Sequence, residues 1–417
     1  MPKGEGWKEF SNWGDEYGDV VYARVLNQDI VILNSYEAAV DLLERRSAIY
    51  SSRPRLVLAG DLVGWNLSLG FMPYGNHLKE TRKLLHEGMS TKAMEELCPL
   101  VEREVLKFVQ RLSDTPEEFI QHIRQTAGAI VLKLTYGYEV KDNNDRFVQL
   151  ADRTMDMFSV VSTPGAFLVD SFPLLNYIPW APFKSKAKAW SKLLWEFVEL
   201  PMGFAKQQMW AAHSIYAGGS DTTVSAISSF FAAMIHYPSV QAAAQEEIDR
   251  VVGTERLPTY TDRSSLPYIE ALYKEVLRWQ PIGPLGVPHN LSSKEDDIYR
   301  GMHIPKNSTI IANIWRMARD PNTYRDPTAF NPQRFLGSPE KVEKNPEDIV
   351  FGFGRRRCPG INVASSSVWL SIALTLATYN ITAATGLDNE PRLPNLHYSE
   401  GTIRYGLTSF ESYGIGR

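Results

Sequence analysis

Residues 18–34, GDVVYARVLNQDIVILN, set β-branched and aromatic positions on either side of a polar break at Asn27-Gln28-Asp29, a pattern that predicts a β-hairpin. From about 37 to 280 the apolar period changes to 3.6, and the long segments 91–112, 145–161, 186–209 and 239–252 each read as a helix with one apolar face. Strand-like runs return over 282–315, where MHIPKNSTIIANIW places a Pro-Lys-Asn turn between two apolar stretches. Loops dominate 316–357, a helix follows Cys358, and short strands are expected after 390. No internal repeat or low-complexity linker divides the chain. The pattern therefore predicts a single domain over 1–417, mostly α, with a small β-rich part near 18–34, 282–315 and the C-terminus.

Composition narrows the function more by exclusion than by suggestion. The 417 residues are 44% hydrophobic and 22% charged, an ordinary globular balance with enough chain to enclose a ligand. A net charge of −4 argues against a nucleic-acid binder, which carries a basic excess. Two cysteines, Cys98 and Cys358, leave no disulfide framework and suit a reducing compartment. The opening MPKGEGWKEF has no apolar core of a secretory signal. VWLSIALTLATY, 368–379, is too short to span a bilayer and reads as a buried helix. Eight histidines include no i, i+4 pair, and neither a Walker loop nor a G-x-G-x-x-G after a strand is present.

The stretch that carries chemistry is FGFGRRRCPG, 351–360. Gly352 and Gly354 permit tight turns, and Pro359 suits the first turn of a helix. A helix starting there aims its positive end at the Cys358 sulfur, and the arginines add positive potential, so thiolate is expected over thiol. With no histidine or second cysteine beside it, such a thiolate is either a nucleophile or a single axial ligand to a large cofactor.

Phe351, Gly354, Arg356, Cys358 and Gly360 fit F-x-x-G-x-R-x-C-x-G, and by this the chain resembles the cytochrome P450 family. Average residue usage puts a chance match below about one chain of this length in ten thousand. Two further landmarks lie upstream. Glu275 and Arg278 in LYKEVLRWQP share a helix face, as do Glu247 and Arg250 in EEIDR, but only the first pair is followed by FNPQRF, with Arg334 56 residues beyond Arg278 and 24 before Cys358. The resemblance implies a buried ion network of Glu275, Arg278 and Arg334 that locks the cysteine loop to the core, with Gln333 standing where the family usually has glutamate. In YAGGSDTTVSA, 216–226, Gly218 and Gly219 fall mid-way along an expected central helix over 210–236, where each costs about 1 kcal/mol relative to alanine. Either they let two helices pack closely, or they open the helix beside a cofactor. Asp221 and Thr222 match the family's acid–alcohol pair, a suitable relay for the two protons that O–O cleavage consumes in a dry pocket.

The resemblance implies haem b, buried between helix 210–236 and loop 351–360, with its iron held by Cys358. The implied contacts to the cofactor are Arg82, His289, Arg356, Phe351, Gly352, Gly360, Gly218 and Gly219. Where the family has a tryptophan four residues before Arg82, this chain has Leu78. The implied activity inserts one atom of O2 into a lipophilic small molecule, with electrons from an NADPH-dependent flavoprotein reductase. Lys79, Lys83, Arg355 and Arg357 offer a basic face for such a donor, and solvated surface explains them equally well. The wording is closest to fungal microsomal members, which implies secondary metabolism, a monomer, and the cytoplasmic face of the endoplasmic reticulum if an N-terminal anchor precedes the chain. FPLLNYIPWAPFKSKAKAW, 172–190, suits a peripheral membrane contact or a connector over the active site. One departure stands out. GFAKQQM runs straight into WAAHSIYAGGSDTT, so the resemblance implies a segment missing between 209 and 210. The alternatives left open are a haem-binding but impaired truncated form and a haem-thiolate isomerase or dehydratase.

Overall fold

The computed structural model describes residues 5–26, 28–140, 145–163, 165–199, 209–338, 340–385, 391–394 and 414–416. The hairpin forms, with its turn earlier than the polar break suggested. β1 (Val20–Val25) pairs antiparallel with β2 (Gln28–Leu33), setting Val25 opposite Gln28. Gln28 and Asp29 thus belong to the strand, and the left-handed turn conformation falls on Leu26 at φ 56°. β3 (His289–Asn290) and β4 (Thr309–Ala312) complete the sheet in the order β1-β2-β4-β3, with β2 and β4 parallel. Shorter pairs close the chain: Ala384–Thr385 with Pro391–Arg392, and Asn380–Thr382 with Gly414–Gly416.

The remainder is chiefly helical. The longer helices are α1 (Gly6–Tyr17), α2 (Asn76–Met89), α3 (Thr91–Asp114), α4 (Phe119–Tyr136), α5 (Arg146–Val161) and α6 (Pro182–Glu199). They continue as α7 (Met209–Ser220), α8 (Thr222–His236), α9 (Pro238–Val251), α10 (Pro267–Trp279) and α11 (Ile361–Thr378). The expected helix over 186–209 is α6 as far as Glu199; 200–208 lie outside the described residues. Across the suspected junction at 209/210 the backbone is continuous helix, the start of α7.

α11 is apolar on all sides and occupies the centre of the largest core cluster, packed by α3, α8, α9 and α10. Its 18 residues are long and apolar enough to cross a membrane, but 67% of that stretch is buried inside the protein. Glu247, set aside above as the wrong half of an E-x-x-R pair, has a definite task. Its carboxylate accepts from the backbone N–H groups of Tyr268 and Ile269 at 2.8 and 3.0 Å and so caps the start of α10.

The central helix departs from expectation. In place of one helix over 210–236, α7 and α8 meet at Asp221, at φ −101° and ψ −33°. Two adjacent glycines weaken the helix there, and Thr222 Oγ1 donates to the Gly218 carbonyl at 2.6 Å, a back-bond that bends helices.

Candidate active site

Between the α7–α8 bend and the loop 351–360 lies a cavity of about 370 Å³. One water needs about 10–15 Å³ in this measure, so the space is sized for a much larger guest. Gly218, Gly219 and Thr222 form one wall, and Phe351, Gly352 and Cys358 the other. The two glycines differ in duty. A Cβ on Gly219 would stand 2.8 Å from Val131 Cγ2 on α4, so this glycine serves close helix packing. A Cβ on Gly218 would meet nothing within 4 Å. Gly219 thus serves helix packing, and Gly218 leaves an open face on the cavity wall.

The cysteine loop is shaped by its glycines and closed by its own backbone. Gly352 and Gly354 hold φ of 77° and 53°, and the Cys358 N–H donates to the Phe351 carbonyl at 2.8 Å. Gly354 has no room for a side chain, because a Cβ would come 2.4 Å from the Leu43 carbonyl oxygen. Gly354→Ala should accordingly cost about 3 kcal/mol or more through strain and collision, read as a lower urea midpoint and less cofactor per chain. α11 begins at Ile361 with Gly360 as its cap, so Pro359 precedes the helix and does not open it.

Cys358 is exposed, and its exposure is to the cavity it lines. Burial within the protein pushes its pKa up, against the opposing pull of the Gly360 N–H, Arg82 and Arg357. This corrects the expectation that helix end and arginines by themselves set the thiolate: desolvation is the larger effect, and a bound cation is what deprotonates a coordinating thiol.

The rim of the cavity is cationic. Arg53, Arg82, Arg356 and His289 line it, and no aspartate or glutamate does so among the described residues. Arg356 donates to the carbonyls of Ser51, Leu69 and Met72 at 2.7, 3.0 and 2.6 Å, which ties the cysteine loop to 51–72. Burial, then repulsion from Arg82, lowers its pKa to about 10. Arg53 donates to the carbonyls of Gly70, Val287 and Pro288, and burial with the charges of Arg356 and Arg82 holds its pKa well below the usual guanidinium range. Arg82 donates to the Arg357 carbonyl at 3.1 Å and is also lowered by burial. His289 bonds the Tyr50 carbonyl at 2.8 Å through Nδ1, which therefore carries the proton, and burial keeps the ring neutral. Three guanidiniums facing a cavity without a carboxylate call for a ligand that brings its own anions.

A family model described as Cytochrome P450 matches residues 2–199 and 206–404. The chain belongs to the cytochrome P450 family. It is 42% identical to Cytochrome P450 monooxygenase 208 of Postia placenta, over 97% of this chain and 85% of that protein. With Cytochrome P450 monooxygenase claR of Ampulloclitocybe clavipes the identity is 39%, over 97% and 81%. With Cytochrome P450 monooxygenase ppsD of Aspergillus oryzae it is 37%, over 91% and 78%. The first alignment spans 438 positions against a chain of 417, so that relative has residues with no counterpart here. The break in the family match, 200–205, falls a few residues before the suspected junction.

The P450 cofactor is haem b, an iron porphyrin with two carboxylate side arms, and this cavity suits it: a thiol on one wall, an open glycine opposite, and an anion-seeking rim. Arg53 escaped notice in the sequence, where nothing but a following proline marks it out. The ion network is present and larger than expected. Arg278 donates to both Glu275 oxygens at 2.7 and 2.8 Å, and Arg334 Nε lies 3.1 Å from Glu275 Oε2. Arg334 also pairs with Glu343 at 2.7 Å. Glu343, in a polar loop without periodicity, was not foreseen, and it balances two arginines with two carboxylates. Gln333 is exposed and takes no part.

Asp221 and Thr222 are adjacent in sequence but face different ways. Thr222 lines the cavity. The Asp221 carboxyl is 98% shielded and turns toward α4 and α5, where Arg124 Nη1 lies 3.4 Å away and bonds Asp152 at 2.7 Å. Asp221 Oδ2 is buried with no hydrogen-bond partner. Burial raises its pKa to about 7, with Asp152 and Asp156 adding to the rise and Arg124 opposing it. On the outer side, Leu78 is buried, Lys79 and Arg355 flank the Tyr74 ring, and Arg357 pairs with Asp348 at 3.3 Å.

Proposed function

We propose that Cys358 ligates the haem iron and that the chain inserts one oxygen atom from O2 into a lipophilic small molecule, using electrons from an NADPH-dependent flavoprotein reductase. The observation that carries this reading is the single cavity lined by Cys358, the cationic rim and Thr222. Bound there, the haem supplies the redox chemistry that activates dioxygen, and thiolate donation favours O–O cleavage. Arg53, Arg82 and Arg356 would hold its carboxylates, and His289, whose one ring proton goes to the Tyr50 carbonyl, stands beside them on the rim. The open face of Gly218 leaves room for the small reactant, and Trp65, Phe71, Met155 and Phe158 present an uncharged wall to the substrate. The Thr222 hydroxyl, anchored on the Gly218 carbonyl, keeps lone pairs free to hold a water in the cavity.

Asp221 is the proton store of this scheme. A carboxyl with a pKa of about 7 both accepts and releases protons near neutrality. Because its folded pKa lies above the unfolded value of 3.8, the folded chain binds more protons between about pH 4 and about pH 7, and stability falls across that window. Asp221→Asn should therefore gain melting temperature relative to the native chain as pH rises through the window, and should lose the inflection near neutral pH in coupled product formation. A constant difference in melting temperature at all pH values counts against a buried titrating carboxyl.

The exposed Phe172, Leu174, Tyr177, Ile178 and Trp180, beside exposed Lys186 and Lys188, support peripheral contact with a membrane, consistent with the cytoplasmic face of the endoplasmic reticulum. Lys79, Lys83, Arg355 and Arg357, all exposed, are the face offered to the reductase. Reconstitution with haem and a reductase tests the whole reading: substrate-dependent NADPH consumption with O2 uptake is expected. The break at 200–205 favours one second reading, a haem protein without turnover, and a normal carbon monoxide spectrum with no substrate-dependent consumption would select it.

A further inference from the structure

The cationic rim is seated on a short run of backbone, 49–53. Four successive carbonyls of this run accept bonds from the elements that carry the rim. Ile49 accepts from the Ser292 N–H at 2.8 Å, and Ser52 from the Asn290 N–H at 3.0 Å. Between them, Tyr50 accepts from His289 Nδ1 at 2.8 Å and Ser51 from Arg356 Nε at 2.7 Å. The next residue is Arg53 itself, whose Nε and Nη1 reach the carbonyls of Gly70, Val287 and Pro288. Arg53, Arg356 and His289 therefore all take their positions from five consecutive residues.

A side chain outside the cavity tethers this run. Tyr50 ends the helical turn Ser47–Tyr50 and is wholly buried. Its Oη donates to Asp297 Oδ2 at 2.7 Å, and the same oxygen accepts from Arg46 Nη1 at 2.7 Å. Asp297 opens the strand Asp297–Tyr299, which pairs antiparallel with Met302–Ile304, and its Oδ1 accepts from the Ile298 N–H at 2.9 Å. The acceptor is thus held from both oxygens, and a bond to an ionised acceptor is among the stronger kinds. Neither Tyr50 nor Asp297 lines the cavity. A matched pair lies close by: Tyr299 Oη donates to Asp41 Oδ2 at 2.8 Å. Among the described residues, neither Tyr299 nor Asp41 lines the cavity or bonds a residue of its rim.

We propose that Tyr50 is a positioning residue for the cofactor: its phenol, held on Asp297, fixes the run 49–53 and through it the seats of Arg53, Arg356 and His289 beside the haem carboxylates. This rests on the rim holding those carboxylates. The grip is read as the rate at which the holoprotein gives up haem to excess apomyoglobin. Tyr50→Phe keeps the ring and removes the tether, and should speed that transfer about fivefold, a fraction of what a bond to a charged group contributes. Asp297→Ala removes the acceptor and should give the same rate, with the double variant no faster than either single one. Tyr299→Phe deletes the matched bond and should lower the urea midpoint to a similar degree while transfer stays at the native rate. Native transfer in Tyr50→Phe, additive acceleration in the double variant, or equal acceleration in Tyr299→Phe overturns the proposal. Should Tyr50→Phe not fold, the contrast between Asp297→Ala and Tyr299→Phe decides. Arg53→Ala separates the two levels: native transfer there fails the rim reading and the proposal with it, whereas fast transfer in Arg53→Ala beside native transfer in Tyr50→Phe fails the tether alone.

Discussion

Cys358→Ala abolishes the thiolate-type Soret band of the reduced carbon monoxide complex and all monooxygenase turnover, while the protein still folds. The two halves of this expectation come from different atoms. The loop is closed by the Cys358 N–H on the Phe351 carbonyl and anchored by Arg356 on three carbonyls, and alanine leaves all four bonds in place. The sulfur faces the cavity and not a packed core, so its loss leaves no dry void, and the stability change should stay within about 1 kcal/mol. The electronic loss is total, because Cys358 is the one cysteine that lines the cavity among the described residues, and a neutral imidazole such as His289 supplies no thiolate. Spectra of the reduced complex and a melting curve on the same sample check both halves. A thiolate band that survives the substitution removes Cys358 as the ligand.

Glu275→Ala acts in the opposite way, through the fold. Glu275 and Arg278 are fully buried, and Arg334 is nearly so. Without the carboxylate, Arg334 keeps Glu343, but Arg278 retains the carbonyls of Ala318, Pro327 and Ala329 and the Tyr324 ring, with no anion against its charge. Removing one partner of a buried pair costs about 3–5 kcal/mol, which approaches the whole stability of many domains. The Asn331 N–H, which donates to Glu275 at 2.7 Å, is orphaned as well. Little soluble holoprotein is expected, measured as haem per chain and as the urea midpoint. Gln333→Ala, at an exposed position on the same turn, should change stability by less than about 0.5 kcal/mol. Normal haem content in Glu275→Ala contradicts the account of the network.

The chain announced its parts at different strengths. Apolar period located α3, α5 and α9 to within two residues at each end, because each buries one face of a regular helix. The hairpin turn was misplaced because Gln28 and Asp29 are polar and yet paired within β2, where ladder bonds decide and composition does not. The central helix was expected as one element over 210–236, but α7 and α8 are separated at Asp221, next to the Thr222 hydroxyl bond to the Gly218 carbonyl, a contact that no period reveals. Arg53 and Glu343 stayed hidden for a related reason. Each sits in an irregular stretch and acquires its role from partners far along the chain or across a loop.

By itself, then, the sequence determined a mostly helical domain and one cysteine set in a glycine-shaped loop, which depend on residue type at short spacing; the Glu275, Arg278 and Arg334 triad, with Arg334 56 residues beyond Arg278, came from the family resemblance. Only the tertiary structure decided which charges meet and which side chains see the cavity. It gathered Arg53, Arg82, Arg356 and His289 onto one rim, turned Asp221 away from Thr222 toward Arg124, and made burial outweigh the positive surroundings of Cys358. The reason is physical: solvation and long-range Coulomb contacts depend on where the chain has been carried in space, and local pattern carries no record of that.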